Sequence, residues 1–206
     1  MMKKILINSY ACGPDSGSEG SVGWSWISRL SKFNVCVFVI VETEFKESVK
    51  NYILKQRLKN VKFIFLNRKR FQILESINYN LFNYISLFFW QIKALFISYK
   101  IVKKEKIDII HHLNMIGFRE PGLLWLIPNV KYIHGPVGGG GVFNKKSLGL
   151  MSKKGKLFYS LYNLINVIQK KLSLRFLFAK LKSKNKIFYA NSENRNFFND
   201  NEKKVY

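Results

Sequence analysis

The sequence contains little cysteine, and this scarcity excludes two kinds of stabilisation. Its 206 residues include two cysteines, Cys12 and Cys36. They form no C-x-x-C motif and belong to no metal-like spacing, so neither a disulfide framework nor a zinc site is supported. This cysteine usage fits a reduced, cytosolic setting.

Acidic residues are also scarce. The chain has 12 acidic and 35 basic residues, a formal net charge of +23, which calls for an anionic partner: nucleic acid, anionic lipid or a phosphorylated substrate. Lys, Asn, Ile and Phe are enriched together, a bias that an AT-rich genome also produces. No nucleic-acid-binding motif is present and the aromatic residues follow helical stripes, so we expect no nucleic-acid partner.

Several familiar motifs are missing as well. The chain has no G-x-S-x-G, no H-E-x-x-H and no phosphate loop ending in Gly-Lys-Ser/Thr. The apolar start Ile5–Ile7 stops at Asn8, too early for a signal peptide. The segment Leu81–Tyr99 carries one charge and is long enough to span a bilayer, but four polar residues interrupt it, so we predict a helix packed on a sheet.

Apolar runs and amphipathic segments alternate along the chain. Strands are predicted at Ile5–Ile7, Val35–Val41, Val61–Leu66, Ile107–His111, Lys131–Ile133 and Lys186–Asn191. Helices are predicted from about Ser18 to Leu30, at Phe45–Lys59, over 71–104 with a stripe from Leu81 through Phe88 to Tyr99, and at Glu120–Ile127. This alternation predicts one α/β domain over 1–206, a Rossmann-like parallel sheet with helices on both faces.

The segment 153–186 has a different character. Basic residues surround a helical apolar series that includes Leu157, Leu161, Ile165 and Leu172. Basic amphipathic helices of this type lie on anionic membrane surfaces. The alternative is a solvated helix whose apolar face docks on its own domain.

Two glycine-rich stretches follow predicted strands. After Lys131–Ile133 the chain reads His134-Gly135-Pro136-Val137 and then four glycines, Gly138–Gly141. Glycine loses the most conformational freedom on ordering, so four in a row indicate close approach to a phosphate, a sugar or another backbone. Open α/β sheets place ligands at such strand ends.

The other stretch has glycines three apart, at Gly17, Gly20 and Gly23. At a helix start this pattern favours an anion on free backbone N–H groups. A dinucleotide site would need G-x-G-x-x-G directly after the strand, with an acid such as Glu42 about twenty residues on. Close helix–sheet packing through Gly20 and Gly23 is the alternative, and it does not exclude a ligand at Gly17.

A third group of polar residues follows the fourth predicted strand. His111 and His112 are adjacent, so they point to opposite faces of the strand and do not easily bind one metal. We expect one to be buried and hydrogen-bonded and the other to lie at the strand edge. Arg119 suits fork-like recognition of phosphate or carboxylate.

Five segments are informative when taken together: Ser16–Trp26, Asp108–Asn114, Phe118–Pro121, His134–Gly140 and Ala190–Glu193. They resemble the N-terminal half of family-4 glycosyltransferases. They occur in the family's order and cover nearly the whole chain.

The resemblance implies one half of a GT-B enzyme, in which two Rossmann-like domains face a cleft. Such enzymes transfer sugar from a nucleotide-sugar with retention, usually without a metal, and no cofactor is implied. The donor loop would be Gly17, Ser18, Glu19 and Gly20. His134 corresponds to a histidine near the transferred sugar. The cleft floor would comprise Gly135, Gly138, Gly139, Gly140 and Gly141. The acceptor or its loop would meet His112, Asn114 and Arg119.

The family's paired glutamates and the groups that hold the leaving diphosphate belong to a C-terminal donor domain, which we expect to be missing from these 206 residues. The prediction is therefore the acceptor-side half of a bacterial glycosyltransferase of cell-envelope polysaccharide or lipopolysaccharide, inactive alone. Its partners would be a nucleotide-sugar, a glycan or lipid-linked acceptor and the inner face of the plasma membrane. The alternative is a non-catalytic binding module that docks a separate donor domain.

Overall fold

The computed structural model describes residues 2–55, 58–69, 79–184 and 187–198. Within them, six strands form one parallel sheet in the order β3-β2-β1-β4-β5-β6. The strands are β1 Lys3–Ser9, β2 Val35–Glu42, β3 Val61–Leu66, β4 Ile109–Asn114, β5 Lys131–Val137 and β6 Ile187–Tyr189.

Helices connect these strands. They are α1 Ser18–Leu30, α2 Lys46–Lys55, α3 Tyr79–Glu105, α4 Lys145–Gly149, α5 Lys153–Leu172, α6 Leu174–Ser183 and α7 Ser192–Phe197. Short 3-10 turns cover Thr43–Phe45 and Leu124–Leu126.

Both faces of the sheet are covered. Ile7 and Val39 pack on one face with Ile27 of α1, while Leu6 and Ile40 pack on the other. The second face also carries Leu87, Trp90 and Ala94 of α3 and Ala179 of α6. Strands buried on both sides explain the unbroken apolar runs of the sequence. The Rossmann-like α/β fold is confirmed.

Helix α3 packs on the sheet, but not through the predicted stripe. Its buried side chains include Leu87, Trp90 and Gln91, whereas Phe88 and Tyr99 are each 40% exposed. Two of the inward-facing side chains have polar partners: Trp90 Nε1 donates to the Leu66 carbonyl at 2.9 Å, and the Gln91 side-chain oxygen accepts from Asn8. The part of the prediction over 71–78 lies outside the described residues.

One helix within the described ranges has the length and composition to cross a membrane. It is the segment Phe82–Glu105 of α3, with a mean hydropathy of 1.4 and 33% of its apolar stretch buried. Leu87, Trp90 and Ala94, which pack in the core beneath the helix, are among its buried residues.

Two predicted helices differ from the structure. Glu120–Ile127 is not a helix, because Gly122 takes a positive φ of 62° and only Leu124–Leu126 turns. The second helix is described over Lys46–Lys55 and does not reach Lys59, since Lys59 and Asn60 form the turn into β3. The residues 56–57, and Lys186 at the start of the predicted sixth strand, lie outside the described part of the chain.

Candidate functional site

The sheet reverses its strand order between β1 and β4. In doubly wound sheets, ligands bind in the crevice at the carboxyl ends of the strands at such a point. Three loops meet there. They are the segment after β1 that ends at Gly17, the segment Met115–Gly117 after β4, and Gly138–Gly141 after β5.

Helix α1 begins at this edge. Gly17 is its N-cap residue, with φ −79° and ψ 172°, and no side chain among the described residues caps the first turn. A Cβ built on Gly17 meets nothing within 4 Å. The first-turn N–H groups lack intrahelical partners and carry the positive end of the helix dipole, so an anion can bind there.

Gly20 and Gly23 serve packing instead. A Cβ on Gly20 would lie 2.4 Å from the Ser16 Cβ, and one on Gly23 would lie 2.4 Å from the Ala11 carbonyl oxygen. The predicted helix–sheet packing is confirmed for Gly23, which also approaches Ser9 of β1, whereas Gly20 packs on the loop residue Ser16. Gly17 is the member of the series that faces open space.

Asn114 ties the first two loops together. It is fully buried, and its amide donates to the Ala11 carbonyl at 2.7 Å and to the Glu19 carbonyl at 3.1 Å. Its oxygen accepts from the Ala11 N–H at 3.2 Å. The Glu19 carboxylate accepts from the Ile116 N–H at 2.9 Å. Burial raises the pKa of Glu19, and this N–H bond opposes the rise.

Gly117 belongs to the same edge, and sequence reasoning missed it. It forms a parallel bridge with Gly138, and a Cβ on it meets nothing within 4 Å. Gly139, with φ 76°, lies beside it, since a Cβ there would be 3.6 Å from the Gly117 Cα. The available signal was a glycine six residues after the end of the predicted strand Ile107–His111.

The other glycines after β5 approach protein atoms. A Cβ on Gly135, whose φ is 128°, would lie 2.3 Å from the Phe188 carbonyl oxygen. One on Gly140 would lie 2.5 Å from the Phe197 ring, and the Gly140 N–H donates to Asn194 at 2.8 Å. The sequence predicts a phosphate, a sugar or another backbone as the partner of this loop. The structure places it against another backbone, at Phe188, and also against the Phe197 ring.

Arg119 holds the glycine loop rather than facing solvent. Its guanidinium donates to the side chains of Asn166 and Gln169 on α5 and to the Gly139 carbonyl at 3.5 Å. Asn166 in turn donates to the Gly141 carbonyl at 2.9 Å. Arg119 therefore orders the loop, and its free capacity for a ligand is small.

His111 and His112 point to opposite faces, as predicted, but both are buried. His111 Nε2 donates to the Gly135 carbonyl at 2.7 Å. His112 Nε2 donates to the Glu120 carbonyl at 3.2 Å, and its Nδ1 accepts from Asn8 at 3.2 Å. The prediction that one histidine lies at the strand edge is wrong. Burial lowers the pKa of each to about 4, so both are neutral at pH 7.

His134 lies under helix α6. Its side chain is 1% exposed, with its ring 5.8 Å from that of Phe176 and its Nδ1 3.5 Å from the Tyr132 hydroxyl. Burial holds the pKa of His134 well below its usual value. The ring is therefore out of a sugar's reach in this conformation, and its catalytic role stays a prediction.

A cleft of about 390 Å³ opens beside the glycine loop. Phe143, Tyr162 and the carboxylate of Glu193 line it, together with Gly141 and Ser147. The Phe143 ring lies 6.3 Å from that of Tyr162. Aromatic rings beside a carboxylate provide an apolar face and hydroxyl acceptors, a combination that suits a sugar.

Two other chemistries find little support. The described residues contain no group of three His, Cys, Asp or Glu side chains placed to hold a metal. Glu42, the acid that a dinucleotide site would use for ribose, is 4% exposed. Its carboxylate accepts from the N–H groups of Glu44 and Arg68.

Comparison of the chain with protein-family models, with curated proteins and with solved structures found no match. The resemblance to glycosyltransferases therefore stays a prediction that depends on the motifs and the site geometry.

Proposed function

We propose that the chain is the acceptor-side half of a glycosyltransferase that moves a sugar from a nucleotide-sugar to a glycan or lipid-linked acceptor of the bacterial cell envelope. The donor-binding half would be supplied by another domain. The observation that carries the proposal is the uncapped start of α1 at the strand-order reversal, where Gly17 faces open space.

The chemistry of sugar transfer matches this geometry. When the sugar leaves a nucleotide diphosphate, negative charge develops on the leaving phosphate, and preorganised N–H donors stabilise it. The first turn of α1 supplies such donors, and Gly17 leaves room for the phosphate oxygens. No metal ion is required in this proposal.

The acceptor would lie in the cleft between Phe143, Tyr162 and Glu193. This cleft adjoins Gly141 and thus lies two residues along the loop from Gly139. The bonds from Asn114, Glu19 and Arg119 hold the three loops in fixed relation. Preorganised loops of this kind reduce the entropy cost of aligning donor and acceptor.

The test is a calorimetric titration of the chain with UDP, GDP and their sugars. We expect weak binding that Gly17→Leu abolishes, because the leucine side chain would occupy the phosphate position. Gly149→Leu is the matched control, since a Cβ on Gly149 also meets nothing within 4 Å but lies in α4. Equal effects of the two variants, or binding that neither changes, would refute the site.

A further inference from the structure

Helix α5 exposes a large apolar surface. Nine of its apolar or aromatic side chains are between 39% and 71% exposed. The leucine and isoleucine side chains of this surface are Leu157, Leu161, Leu164, Ile165, Ile168 and Leu172. Soluble proteins seldom leave contiguous patches of this kind without a function.

The same helix docks on its own domain through polar groups. Asn163 donates to and accepts from the Phe143 backbone at 2.8 and 2.9 Å. Asn166 is fully buried, and Gln169 accepts from Arg119. These residues recur at three-residue intervals on one side of α5. The alternative that the apolar face docks on the domain is therefore wrong, and the amphipathic pattern is inverted relative to a core-facing helix.

The exposed surface continues beyond α5. Helix α6 follows after one residue, and Leu174, Leu177 and Leu181 are 62%, 47% and 64% exposed along it. The Arg175 guanidinium lies 5.4 Å from the ring of Phe88, whose exposed position on α3 adjoins the start of α6. The apolar surface thus spans α5 and α6 and reaches α3.

The charges of α5 indicate what covers it. Lys153, Lys154 and Lys156 occupy its first turn, and Lys170 and Lys171 its last. The stretch 157–169 between them carries no charge. Cations in a first turn oppose the helix dipole, so helix stability does not account for them. An anionic surface that contacts the start of the helix does. The last-turn lysines need no external partner, since cations there favour the dipole and Lys170 donates to the Phe197 carbonyl.

We propose that α5 and α6 lie in the interface of an anionic phospholipid bilayer. Their leucines would enter the acyl boundary and the first-turn lysines of α5 would meet the headgroups. A second copy is a poor occupant, because each chain carries a net charge of +23 and like charges repel. In the proposed setting the bilayer is the inner face of the plasma membrane. The inference depends on this surface alone and not on sugar transfer.

The experiment is vesicle flotation of the full chain. Phosphatidylcholine vesicles are compared with vesicles that contain about one third phosphatidylglycerol. We expect binding to the anionic vesicles only. Leu161→Gln with Ile165→Gln should weaken it at least about tenfold, because less apolar area is buried. Lys153→Gln with Lys154→Gln should weaken it about 30-fold, since each lysine contributes about fivefold near such a surface.

Matched controls lie on other surfaces. Phe33→Gln with Leu54→Gln replaces side chains that are 64% and 85% exposed, and Lys32→Gln with Lys59→Gln removes two exposed lysines; neither pair should alter binding. Circular dichroism confirms that each variant folds.

Three outcomes would overturn the proposal: equal binding to both vesicle types, no binding by the folded chain, or equal losses in test and control variants. Sedimentation velocity tests the other occupant, a second copy of the chain. If the chain self-associates and the Leu161 and Ile165 changes abolish that association, the surface is a dimer interface and the proposal is overturned.

Discussion

A methyl group added at Gly17 meets open space, whereas one added at Gly135 meets the Phe188 carbonyl oxygen at 2.3 Å. Gly135 also has a φ of 128°, where side chains are strained. We therefore expect Gly135→Ala to cost more than about 2 kcal/mol in the free energy of unfolding. Gly17→Ala should stay within about 0.5 kcal/mol, as at an ordinary surface position. Urea unfolding of both variants measures the difference, and equal costs would contradict this assignment.

Asn114 holds the first loop through three hydrogen bonds to the backbone. Asn114→Ala leaves buried backbone groups without partners, at a cost of about 2–4 kcal/mol. Asn114→Asp places an acceptor against the two carbonyl oxygens that now receive N–H donors. Its destabilisation should grow as pH rises from about 4 to 7, because the carboxylate charges over that range. Urea unfolding at several pH values measures both effects, and a pH-independent cost of Asn114→Asp would be inconsistent with this geometry.

The three histidines make stability depend on pH. Burial lowers the pKa of His111 and His112 to about 4 and that of His134 well below 6.5. Below pH 6.5 the unfolded chain therefore binds more protons than the folded chain. Stability is present above pH 6.5 and falls as pH decreases towards 4, by about 1.4 kcal/mol per pH unit for each histidine.

His134→Leu separates one histidine from the others. The hydroxyl contact that it removes is long, at 3.5 Å, so the cost at pH 7 should remain below about 1.5 kcal/mol. The slope of unfolding free energy against pH between 6.5 and 4.5 should fall by about one third. An unchanged slope would show that His134 does not titrate in this window. Comparison with the parent chain cancels the contributions of carboxyl groups.

At the scale of single elements, the orientation of α5 is the least expected feature. Asn166→Leu makes the helix more apolar, yet it removes bonds to Arg119 and Gly141 and should cost about 2–3 kcal/mol in unfolding free energy. Ile165→Asn changes a side chain that is 50% exposed and should cost less than about 1 kcal/mol. Urea unfolding measures both costs. A larger loss of unfolding free energy in Ile165→Asn than in Asn166→Leu would mean that α5 docks by its apolar face.

The sequence predicted elements where the local pattern is sufficient. Val35–Val41 and Val61–Leu66 are largely apolar, and both are strands: β2 is buried inside the sheet, and β3 is its half-buried edge strand. The local pattern gave wrong predictions where contacts with residues far along the chain determine the structure. The inward face of α3 depends on Leu66 and Asn8. Glu120–Ile127 has helical periodicity, but Gly122 takes a left-handed φ beside His112.

The same division holds at the candidate site. The glycine loops were found from sequence because glycine spacing is a local signal. The roles of Gly117 and Asn166 were missed, since each depends on a loop or helix far along the chain. Nothing in the sequence indicated that His134 is buried against Phe176 of α6, since that contact is distant along the chain.

At the scale of the whole molecule, two surfaces have separate tasks in this account. Gly17, Gly117 and Gly139 lie at the carboxyl edge of β1, β4 and β5, where the proposed phosphate would bind. The outer side of α5 carries the exposed leucines that the proposed membrane would cover. The cleft with Tyr162 links them, because α5 supplies that side chain. A lipid-linked acceptor would thus reach the cleft from the bilayer.

The most direct test of the central claim is an amide NMR titration of the ¹⁵N-labelled chain with UDP and GDP. We predict weak binding, with the largest shifts at the amides of residues 18–20, Gly117 and Gly139, and the loss of these shifts in Gly17→Leu. Saturating nucleotide that shifts none of these amides, or that shifts only amides on α5 and α6, would contradict the account.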